Sequence, residues 1–297
     1  MKIAVLCGGD SPERAVSLRS GARVAAALAA RGHSVVTMEP PHRRISADMC
    51  RLFADVDAIF LALHGGDGEN GGVQSLLEYA GFFHYTGSDP EASALAMQKD
   101  LAKQCVEGAG LAVACGAVIP RGEGVPPWLK PPLVVKPRAG GSSVGLAFLD
   151  DARACRAFCA VEDMLCESFL SGREYSVGIL EGQALPPIEI RPRGGVYDYH
   201  HKYTAGATEE LCPAPLAPSA LLALERMALD AFQALGMRDF GRIDFREDAG
   251  GRVCFLEANT LPGLAATSLL PLAAEQVGID FATLCERVAA LAAKRKI

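Results

Sequence analysis

Apolar runs of strand length alternate with helical stretches in the first part of the chain. The predicted strands cover residues 3–6, 35–38, 58–63 and 82–85. Ser11 and Pro12 predict a helix start, because serine is a preferred N-cap and proline suits the first helical position; this helix is predicted to reach Gly32. A second helix is predicted over residues 72–79. This alternation indicates a parallel, doubly wound α/β domain, in which ligands bind beyond the carboxyl ends of strands, where His64 lies.

Two further regions follow. The second is predicted to contain a helix over residues 90–107, a proline-rich stretch over 120–132, strands over 133–136 and 164–167, and a helix near 151–159. The third is predicted to hold antiparallel strands from Gly172 onward, a helix over 218–235, a hairpin and two closing helices. The predicted domains are residues 1–88, 89–170 and 171–297.

Two apolar segments near the C-terminus carry the most informative polar residues. Residues 241–245 and 253–260 flank a turn-forming Asp-Ala-Gly-Gly sequence at 248–251, which predicts a β-hairpin. A turn at this point sets Asp244 roughly opposite Glu257, about 5 Å apart. Because side chains alternate along a strand, the remaining faces receive apolar residues. These are Ile243, Phe245, Cys254 and Leu256.

The polar residues of this hairpin predict a metal site. Two carboxylates that face each other on apolar strands repel unless a positive charge lies between them. Asp244, Glu257 and the amide oxygen of Asn259 form an all-oxygen set of the kind that Mg2+ uses while it shares other positions with phosphate. For any one of these residues, a solvated charge on the outer face is the alternative. The three together, with Arg242 beside them, favour the metal site.

Composition and charge limit the possible partners. Hydrophobic residues make up 50% of the 297 residues and charged residues 22%, as in ordinary globular proteins. A net charge of −6 argues against nucleic acid or an anionic membrane, since both select for basic surfaces. The ten cysteines lack metal-binding spacing and several lie in apolar runs, which favours buried thiols over disulfides. Without a signal-peptide pattern or a long apolar segment, a cytoplasmic location is expected.

A glycine- and serine-rich loop at residues 138–145 is a candidate phosphate loop. It follows a predicted strand that ends at Lys136, so backbone and hydroxyl groups could close over an anion while the lysine points at it. It is neither a Walker A nor a GxGxxG motif, and a plain hairpin turn explains the loop equally well. Taken alone, Lys99 is typical of a solvated helix position, and Glu167 and Glu174 are typical of surface carboxylates.

In chain order, these segments resemble the D-alanine–D-alanine ligases of the ATP-grasp superfamily, essentially from Met1 to the C-terminus. The matching segments are Pro12-Glu13-Arg14, Val16-Ser17-Leu18, Leu63-His64-Gly65, Lys99, Val135-Lys136-Pro137, residues 141–145, Tyr197-Asp198-Tyr199, Lys202-Tyr203, residues 241–244, residues 257–260, Pro262-Gly263 and Ser268-Leu269. The resemblance implies a three-domain architecture of α/β and α+β type: a doubly wound parallel N-terminal domain, a central subdomain with the phosphate loop, and a C-terminal subdomain with the metal-binding hairpin and a lid.

The resemblance also implies the reaction. It is the ATP- and Mg2+-dependent ligation of two D-alanines through an acyl phosphate, for peptidoglycan precursor synthesis, in a homodimeric enzyme with two Mg2+ or Mn2+ ions per active site. The implied ATP contacts are Lys99, Lys136, Glu167, Leu170, Glu174 and Lys202; the metal ligands Asp244, Glu257 and Asn259; the catalytic residues Glu13, Ser142, Tyr203, Arg242 and Gly263; and the further substrate contacts His64, Ser268 and Leu269.

Within these sets the resemblance implies separate roles. Lys99 and Lys136 would contact the phosphates of ATP, and Glu13 would hold the amine of the first D-alanine. Arg242 and the backbone of Gly263 would stabilise the developing oxyanion. Ser268 and Leu269 would receive the carboxylate of the second D-alanine, and the small, polar segment 203–210 is the predicted lid over the acyl phosphate.

Two positions depart from the family pattern. Ser168 stands where the family usually has a lysine, which removes an adenine-side contact, and Gly140 stands where an acidic residue is often found. Two alternatives stay open: another carboxylate–amine ligase of the superfamily, or a nucleotide-binding regulator that no longer catalyses. The retained Tyr203 favours an amide product over the D-lactate ester.

Overall fold

The computed structural model describes residues 1–40, 44–140, 145–192 and 208–296. Three predicted site residues, Ser142, Lys202 and Tyr203, lie outside these ranges, together with most of the predicted lid. The described residues form a three-stranded parallel sheet, a four-stranded sheet and a six-stranded sheet, the latter two antiparallel. This combination confirms the predicted mixture of α/β and α+β architecture.

The N-terminal sheet is parallel, with the order β2-β1-β3. Its strands are β1 (Lys2–Leu6), β2 (Ser34–Met38) and β3 (Ala58–Leu61), and its helices are α1 (Arg14–Ala30), α2 (Ala47–Asp55) and α3 (Gly72–Tyr79). β1 and β3 are almost entirely buried, as expected for parallel strands that helices cover on both faces. The carboxyl ends of both strands therefore open at one edge of the sheet.

α1 begins later than the sequence pattern predicts, at Arg14 with Glu13 as its N-cap residue. The Ser11 hydroxyl does not cap the helix, because it donates to the carbonyl oxygen of His64 at 2.5 Å and accepts from the amide of Glu13 at 3.1 Å. Ser11 thus fastens the turn after β1 to the segment after β3. Glu13 and His64 are brought to the same sheet edge as a consequence.

Two other elements of this domain differ from the prediction. The pattern missed α2, although Ser46 is its N-cap and accepts a hydrogen bond from the amide of Met49 at 3.2 Å. The strand predicted over residues 82–85 is wrong, since its only ladder contact is an isolated bridge between Tyr85 and Ile59. A single bridge extends the parallel sheet by one residue pair only.

The helix predicted over residues 90–107 is divided into α4 (Pro90–Met97) and α5 (Lys99–Gly108). Gln98 separates them with an extended backbone, at φ −84° and ψ 95°. The break makes Lys99 the first residue of α5. Lysines four positions apart on α5, at 99 and 103, therefore lie on one face of the helix.

The central sheet is antiparallel, with the order β4-β7-β5-β6. Its strands are β4 (Gly116–Ile119), β5 (Leu133–Pro137), β6 (Ala147–Leu149) and β7 (Met164–Ser168), with a 3-10 turn (Ala152–Ala154) and the short helix α6 (Cys155–Phe158) beside them. Ile119, Leu133, Val135 and Cys166 form its buried core with the cysteines of the α6 segment, Cys155 and Cys159. All ten cysteines of the chain carry free thiols.

The third sheet has the order β11-β10-β8-β12-β13, and β9 pairs with β8 outside this path. Its strands are β8 (Glu174–Leu180), β9 (Gln183–Ala184), β10 (Ile188–Pro192), β11 (Thr208–Leu211), β12 (Phe240–Glu247) and β13 (Val253–Asn259), and α7 (Pro218–Ala234) packs on it. Residues 208–210 of the predicted lid belong to β11, which pairs with β10. The lid prediction is therefore wrong for these three residues.

The last two helices, α8 (Leu269–Gln276) and α9 (Phe281–Ala293), return the chain to its beginning. Leu284 and Val288 of α9 share one buried core with Ile3 and Phe60 of the N-terminal sheet. The cores thus combine segments that are distant in sequence, and the linear domain boundaries stay a prediction. In the described ranges, none of the helices has the length and apolar character needed to cross a membrane.

Candidate active site

The hairpin of β12 and β13 places four polar residues in two facing pairs. Asp244 pairs with Glu257, as the sequence predicts, and Arg242 pairs with Asn259. Directly paired residues of an antiparallel ladder project to the same face of the sheet. The two carboxylates, the guanidinium and the amide therefore share one face.

A β-bulge follows the carboxylate pair and changes the predicted alternation. Phe245 lies opposite Phe255 instead of Leu256, so Leu256 is the extra residue. The rings of Phe245 and Phe255 are both fully buried and pack edge to face, with centroids 6.4 Å apart. The bulge lets the hairpin bury a pair of large rings directly beneath the polar end.

Asp244 is buried and held by three neighbours. Arg242 donates to both of its carboxylate oxygens, at 2.9 Å from Nε and 2.8 Å from Nη2. The fully buried Ser176 donates to Oδ1 at 2.6 Å, and the amide nitrogen of Asn259 donates to Oδ2 at 3.1 Å. Ser176 reaches this position because it pairs with Asp244 across β8 and β12. These contacts fix the orientation of the carboxylate.

Glu257 faces a lysine from a different part of the chain. The ammonium group of Lys99 lies 3.3 Å from Oε2 of Glu257 and donates to the carbonyl oxygen of Gly140 at 2.7 Å. The helix break at Gln98 makes Lys99 the first residue of α5, and from this position its side chain reaches Glu257. Lys99 thus joins the hairpin to the loop that follows β5.

The residues at this end of the hairpin fit a hard divalent cation. Asp244 and Glu257 offer carboxylate oxygens, and rotation of the Asn259 amide group would offer a third oxygen in the same place. Arg242 and Lys99 supply positive charge beside both carboxylates. Among the described residues, no group of three or more His, Cys, Asp or Glu side chains is arranged to hold a metal, so the fit rests on a mixed carboxylate and amide set.

A second cluster of charges lies between β5, β7 and α5. Lys136 contacts Oε2 of Glu167 at 2.7 Å, and Lys103 contacts Oε1 of the same carboxylate at 2.6 Å. All three side chains are less than one tenth exposed. Lys136 and Glu167 come from the paired strands β5 and β7, whereas Lys103 comes from the helix beside them.

The lysines determine the protonation state of Glu167. Burial raises the pKa of this carboxyl group, but the two adjacent ammonium groups outweigh burial and lower the pKa from 4.5 to about 2. Burial also lowers the pKa of Lys103, although Glu167 opposes the effect. Glu167 is therefore a buried anion that depends on its cationic partners.

The start of α5 is fastened to the segment after β5 by further contacts. The backbone amide of Lys99 donates to the carbonyl oxygen of Arg138 at 2.9 Å. The Arg138 guanidinium donates to both oxygens of the buried Asp100, at 3.2 and 2.7 Å. These contacts hold Lys99 next to Arg138 and Gly140, the residues that follow β5.

The predicted adenosine contacts Leu170 and Glu174 are both buried. Glu174, at the start of β8, is buried and accepts from Arg246 at 3.3 Å. Leu170 is buried in a small cluster with Ala114 and Cys254. These residues lie where the central sheet meets the third sheet.

The predicted contacts of the first substrate lie at the edge of the N-terminal sheet. His64 is buried, with its Nε2 3.0 Å from the Ser20 hydroxyl and its Nδ1 3.5 Å from Glu69. The carboxylate of Glu13 approaches the backbone of Gly65 so closely that a Cβ atom there would lie 2.5 Å from it. A cavity of about 290 Å3 opens beside His64 and Gly65.

The predicted contacts of the second substrate surround the start of α8. Ser268 is the N-cap residue of α8, and its hydroxyl accepts from the amide of Ala265 at 3.0 Å instead of capping the helix. Leu269 has a buried side chain, so only its backbone is available to a ligand. Gly263 packs against Ser268, whose hydroxyl would lie 2.8 Å from a Cβ atom at this glycine.

The structure gathers some predicted residues and adds others. It brings Lys99 to Glu257, and Arg242 and Asn259 to Asp244. Sequence reasoning missed Ser176 and Lys103. The signal for Lys103 was its spacing of four from Lys99 on a helix, whereas Ser176 carries no local signal because its partner is 68 positions away.

Comparisons with known proteins agree along the whole chain. A family model described as D-ala D-ala ligase C-terminus matches residues 122–290. A D-alanine–D-alanine ligase of Syntrophotalea carbinolica is 43% identical, with 99% of this chain and 97% of the relative covered. One of Methylacidiphilum infernorum is 39% identical, with 96% and 93% covered.

Solved structures show the same likeness. The D-alanine–D-alanine ligase of Bacillus anthracis complexed with ATP superposes with a TM-score of 0.85 at 28% identity, covering 99% of this chain and 97% of that one. The VanG D-Ala:D-Ser ligase of Enterococcus faecalis superposes with a TM-score of 0.82 at 25% identity, covering 98% and 99%.

Proposed function

Because the chain belongs to the D-alanine–D-alanine ligase family, we propose that it joins two D-alanines to D-alanyl-D-alanine for peptidoglycan precursor synthesis, with conversion of ATP to ADP and phosphate. The observation that carries this proposal most directly is the meeting of Lys99 with Glu257 beside the pair Arg242 and Asp244. Cationic and carboxylate groups in one cleft suit the transfer of a phosphoryl group to a carboxylate.

The proposed reaction has two steps. The carboxylate of the first D-alanine attacks the γ-phosphate of ATP, which forms an acyl phosphate and releases ADP. The amine of the second D-alanine then attacks the acyl carbon, and the tetrahedral intermediate expels phosphate to leave the amide. Such chemistry depends on positioning and charge neutralisation more than on a protein nucleophile.

The nucleotide would lie between the central sheet and the third sheet. We assign phosphate contacts to Lys99, whose ammonium group donates to the carbonyl oxygen of Gly140, and to Lys136, whose ammonium group contacts Glu167. Lys202 has the same assignment and lies outside the described residues. Glu167, Leu170 and Glu174 are assigned to adenosine, supported by their burial where the two sheets meet.

Asp244, Glu257 and Asn259 would hold Mg2+ or Mn2+, and we propose two ions per active site. When bound, the cations neutralise the charge on the phosphate oxygens. Arg242 lies next to this set and is assigned to the oxyanion of the tetrahedral intermediate together with the backbone of Gly263. Ser176 would keep Asp244 oriented throughout, since its hydroxyl donates to Oδ1 at 2.6 Å.

The two amino acids would bind next to each other, because the amine of the second attacks the acyl carbon of the first. Glu13 and His64 are assigned to the first D-alanine, supported by their shared position at the edge of the N-terminal sheet. Ser268 and Leu269 are assigned to the carboxylate of the second D-alanine, because the first amides of α8 form a site suited to an anion. Ser142 and Tyr203 would support Glu13 but lie outside the described residues.

We also propose a homodimer in a reducing cytoplasm. The ten free thiols support the compartment, because disulfides are rare where cysteines are kept reduced. Sedimentation equilibrium of the purified protein measures the assembly directly. A mass of one chain at micromolar concentration would contradict the dimer.

Product identification by mass spectrometry tests the proposed function. The chain is incubated with ATP and Mg2+, and with D-alanine alone or in competition with D-serine or D-lactate. We expect D-alanyl-D-alanine as the dominant product at neutral pH. A different amide would favour another ligase of the superfamily, and no ATP turnover with any amino acid would favour a regulator.

A further inference from the structure

Lys103 has no role in the proposed reaction, yet its side chain is as buried as that of Lys136, at 5% and 6% exposure. Its ammonium group lies 2.6 Å from one oxygen of Glu167, and that of Lys136 lies 2.7 Å from the other. Two cations therefore share one carboxylate. The cluster carries one positive charge in excess, inside the cleft assigned to the nucleotide.

The three residues come from elements with different partners. Lys136 and Glu167 belong to paired strands of the central sheet. Lys103 belongs to α5, whose residues Ala102 and Val106 are buried in the core of the third sheet. Lys103 thus reaches Glu167 from a helix that packs on the third sheet, and its position is set by that helix and not by the central sheet.

The geometry gives the two lysines different tasks. When Lys136 contacts a phosphate, part of the charge of its ammonium group is drawn from Glu167, although its three donors can reach both anions. A buried carboxylate that loses its only counter-ion is strongly destabilised. Lys103 prevents this outcome, since its contact with Oε1 of Glu167 does not depend on Lys136.

We propose that Lys103 is a positioning residue for the nucleotide: it neutralises Glu167 so that the charge of Lys136 is available to the phosphates of ATP. The inference rests on the proposed function, and in particular on the assignment of Lys136 to a phosphate. A purely structural ion pair between α5 and the central sheet is the competing explanation.

A double-mutant cycle tests whether Lys103 acts through Glu167, and adenosine binding to wild type and Lys103→Met separates the two explanations. A structural ion pair would weaken adenosine and a nucleotide equally, whereas the proposed role affects only the ligand that carries phosphates. The affinity of the full-length protein for a non-hydrolysable ATP analogue, AMP-PNP with Mg2+, is measured by calorimetry for wild type, Lys103→Met, Glu167→Gln and the double variant. Lys130→Met is the matched control, because Lys130 is exposed in the same subdomain.

The expected pattern is non-additive. Lys103→Met weakens binding about tenfold or more, because Lys136 becomes the sole counter-ion of Glu167. In the Glu167→Gln background the same substitution changes affinity by less than about threefold, since no buried charge is left to neutralise. Lys130→Met binds as wild type does. This comparison does not depend on whether Glu167 itself contacts adenine.

Three results would overturn the proposal. One is unchanged affinity for AMP-PNP in Lys103→Met, another is an equal loss in both backgrounds, which would show that Lys103 does not act through Glu167, and the third is an equal loss for adenosine and AMP-PNP, which is the result for a structural ion pair. If Lys103→Met does not fold, the comparison of Glu167→Gln with the double variant still tests the proposal. A tenfold difference between their affinities for AMP-PNP contradicts it. Wild-type protein that fails to bind the analogue contradicts the proposed function itself, and this inference falls with it.

Discussion

At the scale of single residues, Asp244 and Glu257 are constrained in different ways. Asp244 is fixed by Arg242, Ser176 and Asn259, whereas the contact of Glu257 with Lys99 depends on a helix from another region. One carboxylate is therefore preorganised by its own sheet. The position of the other carboxylate depends on the position of α5.

Glu257→Gln is expected to lower Mg2+-dependent turnover by about a hundredfold or more, because it removes one anionic ligand at nearly constant side-chain volume. Steady-state phosphate release over a range of Mg2+ concentrations measures the effect, and circular dichroism checks the fold. Glu275→Gln is the control, since Glu275 is an exposed carboxylate on α8. Near-normal turnover in the Glu257 variant would contradict the assignment of Glu257 as a metal ligand.

Ser176→Ala is expected to raise the Mg2+ concentration for half-maximal activity about tenfold, because residues that orient a metal ligand typically affect affinity to this degree. The lost hydrogen bond to a charged acceptor would also cost about 1.5 to 3 kcal/mol of stability. Ser93→Ala is a control at another fully buried serine. An unchanged Mg2+ dependence would mean that Arg242 and Asn259 orient Asp244 unaided.

At the scale of elements, α5 links the hairpin, the central sheet and the loop after β5. Lys99 contacts Glu257, Asp100 pairs with Arg138, and Lys103 contacts Glu167. One turn and a half of helix thus aligns three charged contacts. The break at Gln98 makes this possible, because it begins a separate helix at Lys99.

The contacts of Glu167 on β7 with Lys136 on β5 and Lys103 on α5 predict a pH dependence of stability. The pKa of Glu167 falls from 4.5 to about 2 on folding, so its ionised form stabilises the folded state above pH 4.5. This contribution, of up to about 3 kcal/mol, is lost as the pH falls through that window toward 2. Urea unfolding of wild type and Glu167→Gln at pH 7 and pH 3 measures it. The difference in free energy of unfolding should shrink at pH 3; a constant difference would contradict the assignment.

Local patterns predicted those elements whose determinants are local. Asp244 and Glu257 were placed opposite each other because the turn and the spacing are contained in twenty residues. The bulge at Leu256 was not predictable, since it arises from the packing of Phe255 on Phe245. The role of Ser176 depends on a strand pairing that no local signal specifies.

At the scale of the whole molecule, the C-terminal segment connects the N-terminal domain to the third sheet. Arg295 pairs with the buried Asp239 at 2.7 Å, and Asp239 also accepts from the amide of Gly87 at 3.0 Å. Asp239 adopts a left-handed backbone conformation, with φ 64°, at the residue before β12. The residue before β12 is thus anchored both to Gly87 and to the C-terminal segment.

Arg295→Ala is expected to destabilise the protein by about 2 to 4 kcal/mol, because it leaves Asp239 without its cationic partner in a buried position. Thermal unfolding measures the loss. Arg226→Ala is the matched control, since Arg226 pairs with Asp230 on an exposed helix face and should matter by less than about 0.5 kcal/mol. Equal effects of the two variants would contradict the anchoring role.

Activation of a carboxylate by ATP is the central claim, and oxygen transfer tests it most directly. D-Alanine labelled with 18O in both carboxylate oxygens is incubated with the protein, ATP and Mg2+, and the released phosphate is analysed by mass spectrometry. An acyl phosphate requires that one labelled oxygen leave with each phosphate, because the acyl C–O bond breaks when the amine attacks. We therefore predict one 18O atom per phosphate for each D-alanyl-D-alanine formed. Dipeptide formation with unlabelled phosphate would contradict the proposed mechanism.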